Sequence, residues 1–331
     1  MEDKQELTIE KYGLQVKSRY RSRGALILDT SDGLYLMREY EKISSHFSFE
    51  NEIKKQLFQR KMILTDRVLP NCDGEMITEW ETGEKYVVYH WYSGGACDYQ
   101  RVTDLELAAK NLGALHRNLK DFSEERQPNA VIDADDKETM VEKYGRYNRE
   151  LKRVYQYMKQ KKRKNQFEMQ ALSCFHEFYE KAERAKEELA KSDFVKQCGV
   201  GNRDVCHGAY NYHNLIFTRD GVATTNFENA SYGIQLMDLA YFLRKVQEKT
   251  GWQVDRGRAV LTGYSVEMPI EPEQMEFLCQ ILSYPVKYRK LMNQYMNGKK
   301  SWISDKNMEK LMAVKKMESA KEKFLRNMAT I

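Results

Sequence analysis

The side chains best suited to chemistry lie in two neighbouring segments, CHGAYNYHNLIF (206–217) and TTNFENASYGIQLMDLAYFLR (224–244). Either His207 or His213 could serve as a general base, because imidazole titrates near neutral pH. A catalytic imidazole needs an orienting carboxylate, which Glu228 or Asp238 could supply only through folding. The competing role for His207 is that of a core hydrogen-bonding residue. Asn226 offers a neutral amide oxygen, a poor ligand for a hard dication that favours carboxylates. Glu228 lies two residues further on, on the same face of an extended strand, and could add one carboxylate to a metal site. Asp238 precedes LAYFL, and an acidic residue at a helix N-terminus is stabilising in itself.

Positioning these groups requires a scaffold. The first hundred residues are β-rich: LQVKSRY (14–20), ALILDT (25–30), LYLMREY (34–40) and KYVVYHWY (85–92) are short runs of β-branched, aromatic and aliphatic residues. Gly24, Gly33, Asp73-Gly74 and Gly83 separate them. FSFENEIKKQLFQRKM (47–62) instead carries Phe49, Ile53 and Leu57 at helical spacing. After Gly94-Gly95 a helix is predicted over 102–119, with Thr103 as its N-cap. The charged stretch from about 135 to 190 keeps apolar positions such as Leu151, Tyr155, Met158, Leu172, Phe175 and Phe178, which predicts helices buried on one face. LIFTRD (215–220) and VATTNF (222–227) read as a hairpin joined at Asp220-Gly221. Residues 237–328 are helical, with breaks at 268–272 and near Gly298.

Within that frame, the order and spacing of 206–244 resemble the HGDxxxxN…IDF…G…DLA signature of aminoglycoside and choline kinases. His207-Gly208, Asn214, Asn226-Phe227 and Asp238-Leu239-Ala240 fall on its positions. Over most of the chain, YLMREY, HWYSGG, CHGAYNYHNLI and DLAYFLRKV are similar to the CotS-type spore coat proteins of endospore-forming bacteria. The resemblance implies an α+β, bilobal protein-kinase-like fold. It places a small β-rich N-lobe at 1–93 and a larger helical C-lobe at 94–331, with the catalytic and metal loops at 206–228.

Phosphoryl transfer from ATP asks a protein for positioning and charge neutralisation. In the fold so implied, one Asp orients the acceptor hydroxyl, and a second Asp with an Asn holds magnesium. A third-strand Lys, oriented by a helix Glu, meets the phosphates. The resemblance puts Ala209 at the first Asp and Asn226 at the second, and it keeps Asn214. It sets Arg38 at the Lys, partnered by Glu52, with Glu50 as the other candidate. A methyl group accepts no proton, and an Arg fork does not replace an ammonium without cost. General acid–base help is worth ~10²–10⁴-fold, and metal stabilisation of phosphates contributes several kcal/mol more. The expectation is therefore a pseudokinase without a metal site or required cofactor, with Ala209 and Asn226 as its degenerate positions. Residual ATP binding would fall to Arg38, Glu52 and Asn214. A metal-free nucleotide-binding module and a divergent small-molecule phosphotransferase are the alternatives.

Composition narrows the partners. A net charge of +5 over 331 residues is modest. The cluster Lys159, Lys161, Lys162, Arg163 and Lys164 lies among charges of both signs with no reader motif, so a solvated helix face is expected and nucleic acid is not. No apolar run is long enough to span a bilayer. The acidic start MEDKQELTIEKYG is unlike a secretory signal and points to synthesis in a cytoplasm. The six cysteines are scattered without CxxC spacing, as ordinary thiols would be. The resemblance alone implies synthesis in the mother cell, a place in the spore coat, and other spore coat proteins as partners.

Overall fold

Successive side chains of an extended strand point to opposite faces of a sheet, so a run that is apolar throughout can cover both. The computed structural model describes residues 2–22, 24–42, 44–60, 63–124, 138–199, 204–298 and 305–328. Its first part comprises α1 (Glu2–Glu10), β1 (Val16–Ser22), β2 (Ala25–Thr30), β3 (Leu34–Glu39), α2 (Ser44–Gln59), β4 (Leu64–Thr65), β5 (Val68–Leu69), β6 (Thr78–Glu79), β7 (Lys85–His90) and β8 (Gly95–Ala96). An antiparallel sheet runs β1-β2-β3-β7-β5, with β6 also on β7. One face buries Leu26, Leu28, Met37 and Val88 beneath Ile9 and Tyr12. The other packs Ile27, Leu36, Val87 and Tyr89 with Tyr40 and Phe47. Because both faces are covered, the strands read as nearly continuous apolar runs. Helix α1 has no amphipathic signature in the sequence. It is held by Ile9 on the sheet, by Trp80 Nε1 donating to Thr8 (3.0 Å) and by Lys4 with Glu84 (2.7 Å).

The larger part comprises α3 (Val102–Glu124), α4 (Met140–Gln160), α5 (Gln166–Ser173), α6 (Phe175–Lys191), α7 (Asp193–Gln197), β9 (Asp204–Cys206), β10 (Leu215–Thr218), β11 (Gly221–Thr224), β12 (Ser231–Gly233), α8 (Leu236–Thr250), α9 (Val254–Ser265), α10 (Pro272–Ser283), α11 (Val286–Asn297) and α12 (Asp305–Met328). This is the expected α+β arrangement of a sheet lobe and a larger helical lobe. The core of the helical lobe collects Leu105, Leu112, Leu151, Met158, Phe178, Leu239, Phe242 and Phe277. Helices α3 and α9 approach so closely that a Cβ on Gly263 would stand 2.3 Å from the Glu106 carbonyl oxygen.

Three local expectations change. Thr103 lies inside the first turn of α3, which already starts at Val102. The acidic group of that turn, Asp104, instead accepts from the Asp98 N–H (3.1 Å). The β10–β11 hairpin closes on the Thr218–Gly221 pair, so its turn residues are Arg219 and Asp220. The run from 237 has a further break at Gly251, whose φ of 77° ends α8.

Strand pairing also joins the two parts. β4, from the first, pairs in parallel with β11, and β8 pairs with β10, making a four-stranded sheet. Ala223 and Thr224, just before Asn226, therefore lie beside Leu64 and Thr65.

Candidate functional site

The loop after β9 is shaped by one carboxylate. Asp238, in the first turn of α8, accepts from the backbone N–H of His207 (2.6 Å) and of Gly208 (2.9 Å), and lies 3.4 Å from His116 Nε2. Gly208 has φ of 75°, in the left-handed region that favours glycine. His207 is fully buried. Its Nδ1 accepts from the Ala209 N–H (3.2 Å), which leaves Nε2 to donate to the Thr225 carbonyl (3.1 Å). Burial depresses its pKa below the usual histidine range. With both nitrogens bound to backbone groups, His207 is a neutral structural residue and has no free lone pair for base catalysis. His213 is exposed on the short 3-10 turn before β10. Asp238→Asn should destabilise the fold by ~1.5–3 kcal/mol, the worth of hydrogen bonds to a charged acceptor. A urea-unfolding midpoint equal to wild type would refute that.

Ala209 presents a methyl group where the resemblance predicts a carboxylate. Its carbonyl accepts from Asn214 Nδ2 (2.9 Å) and Asn211 Nδ2 (2.7 Å), so part of the Asn214 amide is spent on holding the loop. Beyond the hairpin, Asn226 has φ of 66°. Asparagine tolerates that conformation better than most residues. Its N–H donates to Asp66 Oδ2 (3.3 Å), and its Oδ1 accepts from Arg38 Nη1 (3.1 Å).

Arg38, on β3, is the centre of the site. Nη1 also pairs with Glu228 (2.8 Å), while Nη2 donates to the Tyr89 hydroxyl (3.3 Å) and lies 3.9 Å from Glu50. Its Nε is buried without an acceptor among the described residues. Burial opposes the charge, but Tyr89, Glu228 and Glu50 outweigh it and hold the guanidinium pKa above its ordinary value. The helix residue facing Arg38 is Glu50, not Glu52. On α2, Glu50 shares the buried face with Ile53, Lys54 and Leu57. Glu52, two positions on and about 200° around the helix, accepts instead from Gln56 (3.3 Å).

Behind Arg38 lies a residue that the motif reading passed over. Lys54 is completely buried. Its Nζ donates to Glu50 Oε1 (2.5 Å), is 3.1 Å from Asp66 Oδ1, and stands 4.4 Å from the centroid of the Tyr89 ring. The contact with Asp66 is an ion pair without hydrogen-bond geometry, since that oxygen has no hydrogen-bond partner. Glu50 and Lys54 in FENEIKKQL form a legible i,i+4 pair, but such pairs usually sit in solvent. Only the coincidence of Lys54 with the face of Ile53 and Leu57 signalled its burial. The cluster thus sets three carboxylates, Glu50, Asp66 and Glu228, against two cations, Arg38 and Lys54. Burial, reinforced by the repulsion of Glu50, accordingly raises the pKa of both Asp66 and Glu228.

Magnesium does not fit this donor set. Asn226 and Glu228, the oxygens best placed for it, already receive a guanidinium, and a dication there would meet a fixed positive charge. Among the described residues, no group of three His, Cys, Asp or Glu side chains could hold a metal ion. The β1–β2 connection, where kinase-like folds place a Gly-rich cover for phosphates, carries one glycine, Gly24, between the paired residues Ser22 and Ala25. The described residues also include no helix long and apolar enough to cross a membrane.

The chain matches, over residues 5–328, the model of a family described as "Spore coat putative kinase YutH". Among solved structures it is similar to an aminoglycoside phosphotransferase from Alicyclobacillus acidocaldarius. The TM-score is 0.83 and the identity 15%, over 97% of this chain and 94% of that one. A microcompartment-associated aminopropanol kinase is similar at TM-score 0.65 and 10% identity, over 99% of both chains. A spectinomycin phosphotransferase with ADP and spectinomycin is similar at 0.62 and 11%, over 96% of both. At these identities the likeness is one of fold. No curated protein matches the chain.

Proposed function

The chain belongs to the spore coat kinase-like family that YutH names, and on that premise we propose that it is a non-catalytic kinase-fold component of the spore coat. Its work is structural, in coat assembly with other coat proteins. The observation that carries the reading is the position of Arg38. Its guanidinium bridges Asn226 and Glu228, tying β3 of the sheet lobe to the loop after β11. An active phosphotransferase needs that region open to phosphates and their metal. Here a resident cation supplies the positive charge and closes the contact, while Ala209 removes the proton acceptor. The fold keeps the loop geometry through Gly208, Asp238 and Asn214 and lacks the groups that act on a substrate.

The test is turnover. Purified protein incubated with ATP labelled at the γ-phosphate, with and without magnesium, is expected to release or transfer no label above the uncatalysed rate, and Ala209→Asp alone should not change this. Magnesium-dependent turnover by the wild-type chain would overturn the proposal in favour of a divergent phosphotransferase. The unsatisfied Nε of Arg38 favours one second reading, a nucleotide-binding module that needs no metal. A thermal-shift titration separates the two, since stabilisation by millimolar ATP without magnesium supports the second only. The family supports deposition in the coat, and synthesis in the mother-cell cytoplasm is part of the same proposal. A fluorescent fusion that stayed in the forespore would contradict them.

A further inference from the structure

A cavity lies in the helical lobe, with Gly208 of the 207–209 loop on its wall. Its volume is about 590 Å³, within the range of small-molecule sites. Tyr144, Tyr147, Tyr241 and Tyr284 line much of its wall. Most charged groups on the wall are cationic, with Glu138 and Asp238 as the acids among them. Arg244, Arg289 and Lys290 face it from α8 and α11. Arg289 stacks on Tyr147, 3.6 Å from the ring centroid, and its Nε is buried without an acceptor among the described residues.

Nearby acids offset part of this charge. Glu248 pairs with Arg244 (2.7 Å) and Glu150 with Arg289 (3.4 Å). The Asp238 carboxylate at the cavity edge is spent on the N–H groups of His207 and Gly208. Lys290, an exposed residue, forms no ion pair with the described residues, and Glu248 acts on it less than the neighbouring cations do. Burial and the neighbouring Arg244 and Lys245 push its pKa down, as expected for an ammonium held among like charges. The wall also includes the first turns of α8 and α11, neither of which carries a side-chain cap. At α8 the Met237 and Asp238 N–H groups already donate to Ile234 and Gln235 and Asp238 brings negative charge, so the positive end that faces the cavity is that of α11.

We infer that this cavity binds a small organic oxyanion, a phosphate ester or a carboxylate, held by Lys290, Arg289 and the start of α11, with its uncharged body against the tyrosines. A polyamine is disfavoured by the same wall. The inference holds whether or not the cleft at Arg38 transfers phosphate, because binding is measured without nucleotide.

The test is calorimetric titration of the full chain with inorganic phosphate, glucose 6-phosphate and citrate, with glucose and spermidine as controls. At least one oxyanion should bind at a single site, weakening at higher salt and by ten-fold or more in Lys290→Glu. A preference for glucose 6-phosphate over citrate identifies a phosphate ester, and the reverse a carboxylate. Silence from all three oxyanions at millimolar concentration would overturn the inference. So would equal binding of glucose or spermidine, or an unchanged affinity in Lys290→Glu. Amine acylation read by peptide mass spectrometry gives a second measure on the wild-type chain. The bound oxyanion should slow labelling of Lys290 and leave the exposed Lys110 unaffected, and equal slowing at both would count against the site.

Discussion

Replacing Lys54 by methionine should lower the free energy of unfolding by about 3–5 kcal/mol, the usual result of removing one partner from a buried ion pair. The side chain is wholly buried, and Met matches its length, so the loss reflects charge and not a cavity. What remains is Glu50 and Asp66 facing each other with Arg38 as the nearest cation. Neither carboxylate can reach water, and their repulsion falls on whichever keeps its charge. The sign of the pH dependence follows. The folded pKa of Asp66 is raised above its unfolded value by burial and by Glu50. Its contribution to stability is therefore fully present when it is protonated, below the ordinary carboxylate range, and is lost as pH rises through the folded value. In Lys54→Met the stabilising pull of the ammonium is gone, so the gap to wild type should narrow on acidification and widen towards neutral pH. Adding Asp66→Asn should recover much of the loss by removing the surplus charge. Urea unfolding across that pH range decides it; a deficit that is small at neutral pH, or the same at every pH, would sink the argument.

Gly208→Ala should be nearly as damaging, for a steric reason. A Cβ at this position would lie 1.9 Å from the carbonyl oxygen of Asn229 and 2.7 Å from its carbon, and those atoms belong to backbone that cannot rotate away. The left-handed φ costs an alanine about 1–2 kcal/mol, and overpacking typically adds ~1–3 kcal/mol. Relief of the contact would also pull the 208 N–H from Asp238, so the upper end of that sum is expected. Gly74→Ala is the internal control. Gly74 shares the positive φ, at 85°, but has nothing near its missing Cβ, so it should lose only the conformational part. Equal unfolding midpoints for the two variants would show that the contact with Asn229 does not matter.

Much of the molecule was legible in order and spacing. The strand runs, the helix over α2, the hairpin near 215–224 and the His-Gly…Asn…Asn-Phe…Asp-Leu-Ala series are short-range patterns. Short-range patterns survive in one dimension because period two and period 3.6 are properties of the local backbone. The absence of a carboxylate at Ala209 and Asn226, where the resemblance sets one, was equally plain, since residue type needs no coordinates. Choosing between Glu50 and Glu52 turned on the phase of α2, and phase is set by which face the sheet and helical lobe bury. The start of α1 was hidden for a similar reason, because its stability comes from docking Ile9 and Tyr12 and from no pattern of its own.

Order and spacing in the sequence were enough to read a kinase-like α+β chain of the spore coat type, and the resemblance sets Ala209 and Asn226 where that fold would carry two carboxylates. Which groups surround those two positions depends on the fold. Arg38 and Glu228 are far apart in the chain, and so are Lys54 and Asp66 from Asn226. Their charges meet because β4 pairs with β11 and brings the two parts together. Buried electrostatics depends on distance and desolvation, and neither is written in residue order. That is why the ion-pair cluster of Arg38, Lys54, Glu50, Asp66 and Glu228 could be read only from the fold.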